Sequence, residues 1–166
     1  MVDLIDADTA KYFLFLTNNI SGGAISVDLD DGTANAAIVD IASSKSSFSF
    51  ESGVSFKIKV DIKVKARISE ILRNKRETDE IAVEEVKFYS ELAKQDIEEN
   101  ALKLVQKMQK QYRTDVFGFG NRFYRGNLAS WRKLTDESFE KWIDIYSNAE
   151  VEINASVDIT NTKSLK

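Results

Sequence analysis

"VSFKIKVDIKVKARI", residues 54–68, decides the fold. Val54, Phe56, Ile58, Val60, Ile62, Val64, Ala66 and Ile68 alternate with polar or charged residues. A period of two places successive side chains on opposite faces, so one face belongs to a core and the other to water. A strand this long must bend partway or form one arm of a curved sheet.

Downstream, "ETDEIAVEEVKFYSELAKQDIEENALKLVQKMQKQYR" changes the period. Val86, Tyr89, Ala93, Ile97, Ala101, Leu104, Val105, Met108 and Tyr112 recur every three or four residues and make one apolar stripe on a helix. Acidic residues crowd its start and Lys103, Lys107, Lys110 and Arg113 its end, which complements the helix dipole. One long helix is predicted, with Thr78 or Asp79 as its N-cap. The apolar side of the strand and the stripe of the helix are expected to face each other.

Outward from this pair, "DADTAKYFLFLTNN" predicts a short helix capped by Asp6 or Asp8 and stopped at Asn18–Asn19. "GGAISVDLDDGT" predicts a strand ending in a turn at Asp31–Gly32, and "NAAIVDIASS" and "SSFSFES" two further strands. "NLASWRKLTDESFEKWIDIYSN" suggests one or two helices with a break at Thr135–Asp136. The alternation of Val151, Ile153, Ala155, Val157 and Ile159 predicts a last half-buried strand. No repeat or linker divides the chain, so residues 1–166 are expected to form a single domain. The fold class expected is α+β, a curved antiparallel sheet packed against one long helix with short flanking helices.

Composition excludes several chemistries. The 166 residues contain no cysteine and no histidine. Thiol catalysis, disulfides, Cys/His metal sites and His-based triads are therefore impossible. A net charge of −4 argues against a nucleic-acid footprint. No apolar run reaches the roughly 20 residues of a membrane-spanning helix, and "MVDLIDADTA" lacks the basic start of a secretory signal. Asp28, Asp30 and Gly32 imitate part of a calcium loop but no glutamate closes the ligand series, so a hairpin turn is expected. Glu84–Glu85 and Glu98–Glu99 are read as the wet side of the long helix rather than as acid/base pairs. No catalytic residue, metal or cofactor is assigned.

The segment most like a motif is "YRTDVFGFGNRFYR", residues 112–125. Gly118-Phe119-Gly120 opens like a dinucleotide fingerprint. The third glycine position holds Phe123, however, and the segment follows a helix instead of a strand. Two uses remain. Glycines past a helix end can take positive φ and turn the chain, with Phe117, Phe119 and Phe123 as plugs and Asp115 accepting freed amides. Alternatively, Asp115, Phe117, Gly118, Phe119, Gly120 and Trp131 make a partner-contact surface. On the long strand, Lys57, Lys59, Lys63, Lys65 and Arg67 share one face, interrupted by Asp61. A solvated sheet face, paired with Glu150, Glu152 and Asp158 of the last strand, is the plain explanation. A membrane-facing basic stripe is the functional one.

Tyr112, Asp115, Phe117, Gly118 and Gly120 reproduce a Lys/Tyr–x–x–Asp–x–Phe–Gly–x–Gly segment, and Phe13, Leu16, Gly22, Gly23 and Ile25 fit a helix-to-Gly-Gly-strand opening. With the tryptophan-bearing helix and "VEINASVDI", the chain from about residue 4 to about 162 resembles the C-terminal domain of Ger(x)C spore germination proteins, the C subunits of nutrient germinant receptors. Trp131 and Trp142 lie farther apart than the two helical turns usual there, which implies an interrupted helix. The resemblance implies a non-enzymatic domain in contact with other germinant receptor subunits. It also implies a lipoprotein at the outer face of the spore inner membrane, anchored by a lipid outside this chain. The alternative expectation is a small-molecule binding module of cystatin-like α+β type.

Overall fold

The computed structural model describes residues 7–28, 36–72 and 83–160, with the side chains of Ala7, Asp8, Asp28 and Leu72 outside that description. In chain order these residues form α1 (Ala7–Thr17), β1 (Ala24–Asp28), β2 (Ala36–Ser52), β3 (Phe56–Leu72) and α2 (Val83–Lys107). A π-helical turn (Met108–Tyr112), α3 (Phe119–Gly126), α4 (Leu128–Thr135), α5 (Phe139–Asn148) and β4 (Glu150–Ile159) follow. The caps expected at Asp6, Thr78 or Asp79 and the turn at Asp31–Gly32 lie outside the described residues. Asn18 stops α1 in the left-handed region, at φ 61°.

The four strands form one sheet in the order β1-β2-β3-β4. β1, β2 and β3 pair antiparallel, but β4 lies parallel to β3. An entirely antiparallel sheet was expected, and the connection explains the difference. Residues 73–149 separate β3 from β4, and a crossover of that length delivers a strand parallel to its neighbour.

The two strands expected over 36–52 are one. Its apolar face switches parity, from Ala37, Val39 and Ile41 to Ser46, Phe48 and Phe50. The pairing steps from Ile41↔Ala66 to Ser43↔Lys65, leaving Ala42 unopposed. One extra residue in a strand exchanges its two faces, so a bulge joins what an unbroken alternation would separate. A matching shift leaves Ser69 unopposed in β3, where its hydroxyl donates to the Ile38 carbonyl at 3.2 Å.

On β3, Ile58, Val60, Ile62, Val64 and Ala66 are all buried. Val54, the first residue of the expected alternation, is instead fully exposed in the β2–β3 connection, outside the strand. The helix stripe and the β3 row share one core. Yet α2 packs closest to β4, whereas α1 and α5 approach β3. Because β4 is an edge strand, its outward amides need acceptors. Glu98 of α2 supplies one, accepting the Ala155 N–H at 2.8 Å. That carboxylate is half-buried, not on the wet side of the helix as expected.

The stripe of α2 also ends differently from its 3.6-residue projection. The π-helical turn widens the helix by one residue per turn. Met108 and Gln109 are both buried there, while Tyr112 is exposed. Gln109 donates from Nε2 to the carbonyls of Tyr146 (2.7 Å) and Ala149 (3.1 Å), which ties the helix to the α5–β4 junction.

Candidate functional site

Arg113, not a glycine, closes the long helix. It adopts φ 47°, and its amide bonds back to the Met108 carbonyl. The chain then reaches Asp115, whose carboxylate organises the segment. Asp115 Oδ1 accepts the Phe119 N–H at 3.0 Å, and Oδ2 accepts the Gly120 N–H at 2.7 Å. Oδ2 also accepts the indole N–H of Trp142 at 2.9 Å. The first two amides open α3, and Gly118, its formal cap, has no side chain to bond them. Asp115 caps from three residues farther back and sets a negative charge at a helix N-terminus.

The two glycines serve different ends. Gly118 has φ 73°, a left-handed conformation that costs glycine little. Gly120 is helical, and a Cβ there would lie 2.5 Å from Trp142 Nε1. Its lack of a side chain admits the indole, a role that chain reversal does not cover. Since the Asp115 carboxylate already holds the Phe119 and Gly120 amides, they are not offered to a phosphate.

Around this hub the rings pack into one cluster. Phe117, Phe119, Phe123, Trp131 and Trp142 are buried, so their side chains brace the α3–α5 region from within. Trp131 and Trp142 belong to separate helices, as the spacing implies. Left-handed Asp136 and Glu137 end α4, and Ser138 caps α5 by accepting the Lys141 N–H. The reversal brings the indoles to 5.5 Å between ring centroids. Tyr146 lies beneath Trp142 at 6.1 Å. Its hydroxyl is buried and has no hydrogen-bond partner among the described residues. Burial, reinforced by the Asp115 carboxylate, pushes this phenol well above its ordinary value.

Arg122 carried no recognisable signal in the sequence beyond its place in the quoted motif. It reaches from α3 to the C-terminal end of α1, donating from Nη2 to the Thr17 carbonyl at 3.0 Å. Its guanidinium stacks over Phe48 at 4.0 Å from the ring centroid. The Nε–H is buried and has no acceptor among the described residues. Burial holds the guanidinium below its ordinary value, partly offset by Asp115. Arg122, Phe48, Phe50, Phe123, Gly126 and Asn127 line a cavity of about 380 Å³ between β2 and the α3–α4 corner. Beside it on the same corner, Tyr124 and Leu128 are 47% and 39% exposed.

The basic stripe is divided by its partners. Lys57 pairs with Glu150 at 3.1 Å, Lys59 with Glu51 at 2.8 Å and Arg67 with Asp40 at 3.7 Å. Lys59 stands opposite Glu152 on β4, one of the three acidic residues expected to pair with the stripe, but forms its ion pair with Glu51 at the end of β2. Lys63 and Lys65 enter no ion pair among the described residues, and Lys45 stands directly opposite Lys63 on β2.

Comparison with known proteins adds the family. Among solved structures, the crystal structure of the GerBC protein matches with a TM-score of 0.78 at 17% identity. The match covers 95% of this chain and 46% of that one, so the chain spans about half the length of GerBC and shares its fold over that half. A search of curated proteins gives no match. The family model described as "Spore germination B3/ GerAC like, C-terminal" matches residues 1–163. Nearly the whole sequence thus follows one family pattern, and the chain belongs to the Ger(x)C-type spore germination family, to the part described as its C-terminal region.

Proposed function

We propose that this chain is a single, non-catalytic domain of a germinant receptor C subunit and works through contacts with the other receptor subunits during spore germination. In the full-length protein a lipid anchor outside the chain holds it at the outer face of the spore inner membrane. Family membership and the fold shared with GerBC support the receptor assignment.

One observation carries the contact surface. Exposed Tyr124 and Leu128 sit on a corner made rigid by the buried aromatic cluster beneath them, with Tyr124 packed edge-to-face on Trp131 at 5.9 Å. Anchors of this kind, aromatic and pre-ordered, contribute most at protein interfaces. Asp115, Phe117, Gly118, Phe119, Gly120 and Trp131 take part by holding that corner in shape. The test pairs Tyr124→Lys with Leu128→Lys in the full-length subunit. Co-purification of the receptor subunits should fall severalfold while the melting temperature stays within a few degrees. Undiminished assembly would sink the proposal.

A second surface follows from the lysines. Lys45 and Lys63 oppose each other on the open sheet face, and like charges in that arrangement are destabilising unless an anion joins them. With Lys65 they form the part of the stripe available to anionic lipid headgroups. Co-sedimentation with phosphatidylserine-containing vesicles should drop when Lys63 and Lys65 are changed to glutamine. Binding that is equal for both proteins, or absent in both, would leave the stripe as a solvated sheet face.

A further inference from the structure

We propose that the cavity between β2 and the α3–α4 corner binds a small organic monocarboxylate with a flat apolar body. This goes beyond the receptor contacts proposed above and does not depend on them. Volume sets the first limit. About 380 Å³ falls at the lower end of small-ligand sites, enough for a single ring with a short substituent.

The lining sets the chemistry. Among the described lining residues, Phe48, Phe50 and Phe123 are aromatic, and Arg122 is the only charged one. Arg122 forms no ion pair among the described residues, although its guanidinium carries five N–H donors. One donor is engaged by the Thr17 carbonyl, and the guanidinium carbon lies over the Phe48 ring at 4.0 Å from its centroid. A half-buried cation anchored at Thr17 and Phe48 and unpaired with any carboxylate among the described residues is complementary to an added anion. Asp115 contributes to the field at Arg122 but is committed to the Phe119, Gly120 and Trp142 N–H groups.

No acidic side chain is among the described lining residues, which restricts the ligand further. A substrate bearing an ammonium group would find no carboxylate among them to receive it. The site therefore favours a simple carboxylate over a zwitterion of the same size.

Benzoate, its neutral analogue benzamide, and phenylalanine test this by NMR titration of the 166-residue chain, following the backbone amides of Gly126 and Asn127. Benzoate should give saturable shifts, with benzamide and phenylalanine weaker by about tenfold or more, as loss of a charge-assisted contact predicts. Arg122→Gln should weaken benzoate to the level of benzamide, and Arg122→Lys should keep part of the affinity. Benzoate should also raise the melting temperature of the native chain but not that of Arg122→Gln. Equal binding of benzoate and benzamide, or no saturable shift, would overturn the proposal. So would shifts that survive in Arg122→Gln. The comparison of the three ligands needs no variant, so it decides the matter even if Arg122→Gln loses its fold. A fall in melting temperature on Arg122→Gln with no benzoate effect in either protein means that Arg122 serves only to join α3 to α1.

Discussion

The Asp115 carboxylate and the Trp142 indole, 27 positions apart, meet in a 2.9 Å hydrogen bond that closes α5 onto the start of α3. The same carboxylate holds two α3 amides, so one side chain terminates a loop, caps a helix and fixes the largest buried ring. Asp115→Ala removes the acceptor for all three donors. It should lower unfolding free energy by about 2–4 kcal/mol, since each abandoned donor near the core loses a charge-assisted bond. Urea denaturation measures this, and Asp115→Asn, which keeps one oxygen acceptor, should lose less. Equal stability of Asp115→Ala and the native chain would show that the bonds are incidental.

The two ends of α3 should answer oppositely to the same change. Gly120→Ala drives a methyl into the indole of Trp142, which is fully buried and has no free volume to retreat into. Overpacking of this kind costs about 1–3 kcal/mol, and a red-shifted tryptophan emission should accompany it. Gly126→Ala meets nothing within 4 Å at the opposite end of the helix. There alanine should stabilise by about 0.4–1 kcal/mol through the unfolded chain. Thermal melts of both variants check the pair.

Phe119→Asp should unfold the domain, because the ring is fully buried against Phe117 and Tyr146. A carboxylate placed there has no partner and cannot reach water without opening the cluster. Circular dichroism and size-exclusion chromatography distinguish this from a folded variant that merely assembles poorly. A folded, monodisperse Phe119→Asp would mean that the aromatic cluster is dispensable.

Gln109 is the residue that the π-helical turn delivers to the core. Gln109→Leu keeps the size of the side chain but removes a donor from the carbonyls of Tyr146 and Ala149, leaving the Tyr146 carbonyl with the Ala149 N–H at 3.2 Å. A loss of about 1–3 kcal/mol is expected in chemical denaturation. Hydrogen exchange should accelerate first at the α5–β4 junction.

Tyr146 predicts a pH dependence. Its folded-state pKa lies above the unfolded value of about 10, so above that pH the unfolded chain has released a proton that the folded chain still holds. The folded state then binds more protons than the unfolded one, and stability falls as pH rises from about 10, by up to about 1.4 kcal/mol per pH unit. Tyr146→Phe should remove this alkaline slope. Near neutral pH it should be neutral or stabilising, because the hydroxyl it deletes has no hydrogen-bond partner among the described residues. Equilibrium unfolding measured across the alkaline range separates the two proteins.

Periodicity made the main elements legible. Alternation along 56–68 and 151–159 and the stripe along 86–108 correspond to β3, β4 and α2, because burial of one face acts residue by residue along a regular backbone. The break at Thr135–Asp136 was legible for a similar reason, since the residues that leave one helix and cap the next are local in sequence. Bulged Ala42 was not. One unopposed residue inverts the pattern on which the eye relies, so a single 17-residue strand looks like two. The π-helical turn hid Gln109 in the same way, by changing the period at the end of α2.

The candidate site was legible only in part. Asp115 and Gly118 act within a few residues of their own positions, and their local roles can be argued from capping and backbone freedom. The reason for Gly120 is Trp142, and the cavity around Arg122 needs Phe48 and Phe50 from β2. From the sequence alone came most of the strands and helices, though not α3, which stands where a turn was expected; the missing thiol and imidazole chemistry and the family pattern came from it too, and all of these follow from composition and short-range order. Tertiary structure alone decided the parallel placement of β4, the meeting of Asp115 with Trp142, and the seating of Arg122 between Thr17 and Phe48. Those depend on which distant surfaces touch, and side-chain spacing along one element carries no record of that.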